Sequence, residues 1–290
     1  MTMPCATGVD TGFVTLGYAK VALLGVVQGI TELLPISSTA HMRIVPALLG
    51  WRDPGSAFSA AMQLAALAAV ISYFWQDVRR LAVGSLFAIR QRQFADPELR
   101  LAMWIALATV PITLAGVTLS GTLNACHSPL RGLSVIGWAC IAMAALMALT
   151  EVFARHRRSV ENASLADALL VGIAQVGALI PGVSRSGSTL TAALGLGFER
   201  EEAARFSFLL GIPAIALAGS KELWELHRAN LDMHAWSVLA LGLIVASVSA
   251  FVAIWALMRF LERFSAWPFV IYRGVLGVLL LVASSQAWLA

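Results

Sequence analysis

Two short polar stretches interrupt an otherwise apolar chain, and they hold most of the residues able to do chemistry. The first runs Gln28-Gly-Ile-Thr-Glu32-Leu-Leu-Pro35-Ile-Ser37-Ser38-Thr39-Ala40-His41. Gln28 and Glu32 are four apart, so on a helix they share one face. Pro35 ends or kinks that helix and frees backbone amides, and hydroxyls and an imidazole follow at once. The second stretch is Pro181-Gly182-Val183-Ser184-Arg185-Ser186-Gly187-Ser188-Thr189. Its glycines let backbone approach an anion closely, its hydroxyls and amides donate, and Arg185 offers a permanently charged fork suited to phosphate oxygens. A carboxylate, a histidine, candidate serine nucleophiles and an arginine clamp suit phosphoryl transfer better than acyl transfer. Charge spread over the phosphoryl oxygens needs several fixed donors and little covalent chemistry from the protein.

Two lookalikes fail on their details. Gly182 to Thr189 resembles a phosphate-binding P-loop, but Ser188 stands where the lysine belongs, and no strand precedes it. The phosphatidic-acid-phosphatase signature places a histidine soon after Ser-Arg, where this chain has Thr191.

The surroundings of these stretches are those of a membrane protein. Of 290 residues, 59% are hydrophobic and 12% charged, with a mean hydropathy of +0.81; soluble chains carry about a quarter charged residues. A glutamate in such an apolar run costs several kcal/mol unless it is paired or hydrated, so Glu32 reads as functional. The net charge of +4 sits in short clusters between apolar runs, which argues for membrane orientation and against a nucleic-acid partner. Cys5, Cys126 and Cys140 lack metal or redox spacing and read as inert packing residues. The uncharged opening MTMPCATG shows no basic segment of a cleavable signal peptide.

The expected fold is an all-α polytopic membrane protein, one membrane-embedded domain over 1–290. Six stretches read as full transmembrane helices: 57–75, 101–122, 132–150, 203–220, 236–258 and 267–288. The stretches 15–50 and 166–198 are broken mid-way, neither half comfortably long enough to span, and read as two re-entrant helical hairpins. The connections 76–100, 151–165 and 259–266 are arginine-rich and are expected on the cytoplasmic side, with 123–131 and 221–235 outside. One hairpin then dips in from outside and the other from inside. A weak internal match supports this: Gly25-Val-Val-Gln28 is echoed by Gly172-Ile-Ala-Gln175, and Phe58-Ser59 by Phe206-Ser207. The expectation is an inverted-topology repeat, its first copy about 15–150 and its second about 166–288, with both broken segments meeting near the midplane.

With its Gln28-to-His41 and Pro181-to-Gly187 motifs, the chain resembles the undecaprenyl-diphosphate phosphatase family of the bacitracin-resistance type. Gln63, Phe206-Ser-Phe-Leu-Leu210 and Ile271-Tyr272-Arg273 are supporting echoes, so the resemblance runs from about residue 20 to 275. It implies an enzyme of the bacterial inner membrane, open to the periplasm. The enzyme would remove the terminal phosphate of a polyprenyl diphosphate and recycle the carrier lipid for peptidoglycan synthesis. A divalent cation, Mg²⁺ or Ca²⁺, is implied as cofactor, held by Glu32 and Gln28. By motif position Arg185 clamps the diphosphate with Ser37, Thr39, Ser184 and Ser186, Ser38 is the nucleophile and His41 its base. A variant has His41 attack or activate water directly.

Two departures from the usual motif carry expectations. Gln28 replaces a glutamate, which weakens the affinity for a hard cation. Ala40 replaces a glycine, which strains the backbone if that position needs φ > 0. The rival function is a polyprenyl-phosphate flippase on the same scaffold, since inverted repeats with broken helices are common in transporters. A carrier needs the clamp but no nucleophile. Small-residue faces such as Gly195-Leu-Gly197 are compatible with a homodimer.

Overall fold

The computed structural model describes residues 11–123, 130, 132–229 and 231–286. The opening stretch, Cys5 and Cys126 lie outside them; Cys140 is a buried free thiol. The described residues are helical, with one isolated bridge between Arg158 and Phe198. The helices are α1 (Gly17–Leu33), α2 (Ser38–Leu48), α3 (Ser56–Ala61), α4 (Gln63–Tyr73), α5 (Trp75–Arg90) and α6 (Pro97–Leu123). They continue with α7 (Leu133–Phe153), α8 (Leu165–Val176), α9 (Arg185–Gly195), α10 (Arg200–Arg228), α11 (Met233–Leu261) and α12 (Trp267–Ser285).

Among the described residues, six helical stretches are long and apolar enough to cross a membrane: Gly12–Leu33, Pro97–Leu119, Leu133–Phe153, Arg200–Arg228, Met233–Leu261 and Trp267–Ser285. This is a multi-pass membrane protein. Five of the six match the sequence expectation, and the sixth corrects the reading of the first broken stretch as too short to span. Gly12–Leu33 is a single 22-residue apolar stretch, because Gln28 and Glu32 continue the helix rather than breaking it. Ala57–Tyr73 covers the expected 57–75 span and, bent by 79° against Trp75–Arg90, makes a seventh crossing if the pair is counted as one. The helix α5 thus occupies part of the predicted 76–100 connection. It shows Val83, Leu86, Phe87 and Ile89 to the outside alongside Arg79, Arg80 and Arg90, the pattern of a helix lying in a membrane surface.

Packing is tightest where small residues let backbones meet. The helix α1 lies against α11, α8 against α6, and α7 against α12. A Cβ on Gly29 would overlap the Ala246 carbonyl, and one on Gly172 the Ala108 carbonyl, so each contact is closed by a missing side chain. The three arginine-rich connections gather at one end of the molecule. There Arg158 bonds Asp167 at 2.6 Å, Arg200 bonds Glu151 at 2.6 Å, Arg205 bonds Asp77, and Glu151 also accepts from the Ala266 amide at 2.8 Å.

Candidate active site

The first polar loop begins where α1 delivers Gln28 and Glu32 one turn apart, both buried. The Gln28 Nε2 donates to Glu32 Oε2 at 2.9 Å. Beyond Pro35 the chain reverses at Ser37, whose φ of +72° is unusual for a residue with a side chain. Its hydroxyl accepts from the Ala40 amide at 3.4 Å and caps α2. That turn swings Ser38 back over the end of α1, where its Oγ donates to Glu32 Oε2 at 2.6 Å. Thr39 and Gln28 line the same cavity of about 170 Å³ with Ser38, Arg43, Asp53 and Gln63. Ala40 lies in the first turn of α2, outside the positive-φ region, so the expected strain there is absent.

The second loop repeats the turn. Ser184, at φ +68°, accepts from the Gly187 amide at 3.2 Å and caps α9. Arg185 follows, and its Nη2 donates to Glu32 Oε1 at 3.4 Å. The guanidinium is seated in a notch of α10: a Cβ on Gly211 would fall on Arg185 Nη1. Gly211 stands near the middle of that 29-residue helix, so the ion pair sits deep between the two ends. Ser186 Oγ lies 3.2 Å from the carbonyls of both Glu32 and Leu34, which joins the loops. As placed, Gln28 and Thr39 face the cavity, whereas Ser37, Ser184 and Ser186 are engaged as caps and as the joint.

His41 is oriented away from Ser38. Its Nδ1 is 2.7 Å from the Ser37 carbonyl, which can only accept, so that nitrogen carries a proton. Its Nε2 faces the Tyr272 hydroxyl at 2.6 Å, and the two rings stack. Tyr272 belongs to the site although its sequence signal was only a supporting echo.

The same holds for Arg273. It is fully buried and donates to the carbonyls of Pro35 at 3.0 Å, Gly182 at 2.7 Å and Val183 at 2.9 Å. One guanidinium therefore ties both loops together, its charge solvated by backbone dipoles. The available sequence signal was an arginine inside an apolar run.

For a divalent cation the test is the donor set. Among the described residues no group of three or more His, Cys, Asp or Glu could form a protein cage. Glu32, however, stands beside the Gln28 Oε1, which is buried and makes no hydrogen bond with the described residues. A carboxylate with a free amide oxygen fits the way Mg²⁺ is held, by few protein oxygens plus substrate phosphates.

A carboxylate that joins a serine hydroxyl to a largely buried guanidinium inside a bundle of membrane helices suits an integral-membrane phosphatase. The chain belongs to the family described as bacitracin resistance protein BacA, which matches residues 21–279. It is 78% identical over 263 residues to "Undecaprenyl-diphosphatase 2" of Mesorhizobium japonicum, covering 91% of this chain and 100% of that protein. It is 49% identical over 266 residues to an "Undecaprenyl-diphosphatase" of Gloeobacter violaceus, covering 92% of this chain and 91% of the relative. A third relative of that name, from Nostoc, is 46% identical over 275 residues, 94% of this chain and 86% of its own.

Proposed function

We infer that this chain is an undecaprenyl-diphosphatase, hydrolysing undecaprenyl diphosphate to undecaprenyl phosphate and inorganic phosphate. The observation that carries this is the Ser38–Glu32–Arg185 arrangement, assembled from two loops in a chain whose relatives bear that name. Ser38 is the nucleophile. Its Oγ attacks the terminal phosphorus while its proton passes to Glu32 Oε2, and the bond to the lipid phosphate breaks. Arg185, held to Glu32 only at 3.4 Å, turns its fork to the phosphoryl oxygens and stabilises their growing charge. Water then releases phosphate from Ser38, and Glu32 returns the proton. The geometry favours Glu32 over His41 as base, because His41 is bonded to the Ser37 carbonyl and Tyr272.

Gln28 and Glu32 would hold the divalent cation together with substrate, where it would neutralise diphosphate charge. The amide at Gln28 makes that binding weaker than a second carboxylate would.

The scaffold is read as an inverted repeat in which two helix–turn–helix segments, α1–α2 and α8–α9, meet at the site. Supporting this, α1 on α11 has its counterpart in α8 on α6, and both hairpin turns share a positive-φ serine cap. The site opens to the periplasm of an inner membrane, since the arginine-rich connections gather at one end and Arg43 and Asp53 of the cavity lie away from it.

Phosphate release from undecaprenyl diphosphate by detergent-purified protein tests the function. Wild type is expected to turn over, and Ser38→Ala and Arg185→Ala to lose activity. Undiminished turnover in both variants sinks the hydrolase assignment. Movement of labelled lipid across vesicles by wild type that releases no phosphate makes the protein a carrier instead.

A further inference from the structure

We propose that the groove between α7, α8 and α9 is the binding site for the polyisoprenoid chain of the substrate, a proposal that rests on the lipid phosphatase function above. The groove has a volume of about 980 Å³, at the upper end of the roughly 300–1,000 Å³ usual for small-molecule sites. It follows α7 from Ser134 to Thr150, about 24 Å of helical rise and most of the roughly 30 Å hydrocarbon layer.

Three observations fix the occupant. The first is continuity with the phosphate cavity. Leu179 and Pro181 line that cavity, while Gly177, Ile180 and Val183 of the same segment line the groove. A single pass of backbone separates the two, so a lipid with its diphosphate at Ser38 has an apolar channel within one residue of its headgroup. The second is shape. The floor is made of small residues, Ala139, Ala142, Ala174, Ala192 and Gly195, beneath rims of Trp138 and Leu146. Other lipid-facing surfaces of this protein carry large side chains such as Leu114, Ile244 and Val248. A trough leaves dispersion contacts unmade unless a flexible chain lies in it. The third is chemistry. The lining is predominantly apolar, with hydroxyls at Ser134, Thr150, Ser188 and Thr191 and no charged residue. That suits a hydrocarbon and not a headgroup. The substrate must place its long chain somewhere beside the site, and this groove adjoins it.

Because the bilayer is as apolar as the groove, the gain is packing and not transfer from water, so the effect is modest. Ala142→Trp and Ala174→Phe, which fill the trough without touching either polar loop, are expected to raise KM for undecaprenyl diphosphate about tenfold, equivalent to about 1.4 kcal/mol. Turnover of dimethylallyl diphosphate, whose single isoprene unit is too short to run down the groove past Ala142, should stay within about twofold of wild type. Equal effects on both lipids, or none on either, overturn the proposal, as does a change of oligomeric state in these variants, which makes the groove a subunit contact. If the variants fail to fold, wild type decides. A photoreactive polyprenyl diphosphate labelled along its chain should crosslink to α7–α9, and crosslinks confined to other helices overturn the proposal. Wild type that hydrolyses neither lipid refutes the phosphatase assignment itself, so the two failures are distinguishable.

Discussion

Ser37 and Ser184 occupy the same place in two separate loops. Each has φ near +70°, each caps the helix that follows, and each lies nine residues after a buried glutamine, Gln28 or Gln175. The side chains mounted on this shared backbone then diverge. The first loop continues with Ser38 and is preceded by Glu32; the corresponding places in the second hold Arg185 and Leu179. In the mechanism proposed above, one loop carries the nucleophile and the proton acceptor, and the other carries the fixed positive charge. Had carboxylate and guanidinium been one turn apart on one helix, they would have paired locally. On opposed loops their contact is 3.4 Å long, loose enough for phosphate oxygens to take over the arginine. The glutamines record the same division. Gln28 donates to Glu32 at 2.9 Å, whereas Gln175, with Leu179 four residues on, has neither amide atom hydrogen-bonded to the described residues.

The comparison breaks most decisively at its chemical ends. Ser38→Ala and Arg185→Ala should each lower kcat about 10³-fold or more in phosphate-release assays. If either retains substantial turnover, the division of labour is wrong. Glu32→Gln keeps the hydrogen-bonding shape but loses the base, and a fall of about 10²–10⁴-fold is expected. A smaller loss, with the pH profile unchanged, points to His41 as the base. Gly211→Ala fills the notch under Arg185 and should lower activity about 10²-fold through misplacement of the guanidinium. In an Arg185→Lys background the same change should cost little further, since the ammonium avoids the notch.

The smallest effect separates the two glutamines. Gln175→Leu removes an unpaired buried amide and should raise unfolding stability by about 1 kcal/mol in thermal denaturation, with phosphate release unchanged. Gln28→Leu should lower activity and the response to added divalent cation. If the two substitutions behave alike, the loops differ less than their contacts indicate.

Both loops were legible in the sequence because charge and amide groups inside apolar runs demand partners. The juxtaposition of Glu32 with Arg185 followed from treating the two broken stretches as a pair. Other parts were hidden by geometry. Ser38 and His41 are three residues apart and invite pairing by spacing. In fact the positive-φ turn at Ser37 aims Ser38 back across the loop to Glu32, a contact no periodicity encodes. Ala40 looked strained because a motif glycine suggested φ > 0, yet the left-handed residue is Ser37. The first broken stretch hid a helix long enough to span, Gly12–Leu33, since Glu32 lies at the end of a continuous helix and the polar break comes just after it. Arg273, near the start of α12, could not be told by sequence from a snorkelling interfacial arginine, although it is fully buried.

That arginine has a consequence for biogenesis. It is the clasp on both loops, and it sits on a helix made after both of them. A nascent chain that has threaded everything up to α11 already possesses Glu32, Ser38 and Arg185, but the loops that carry them are unfastened. The two loops therefore stay unlatched until α12 has been made, and a chain released before it carries a site that never closes.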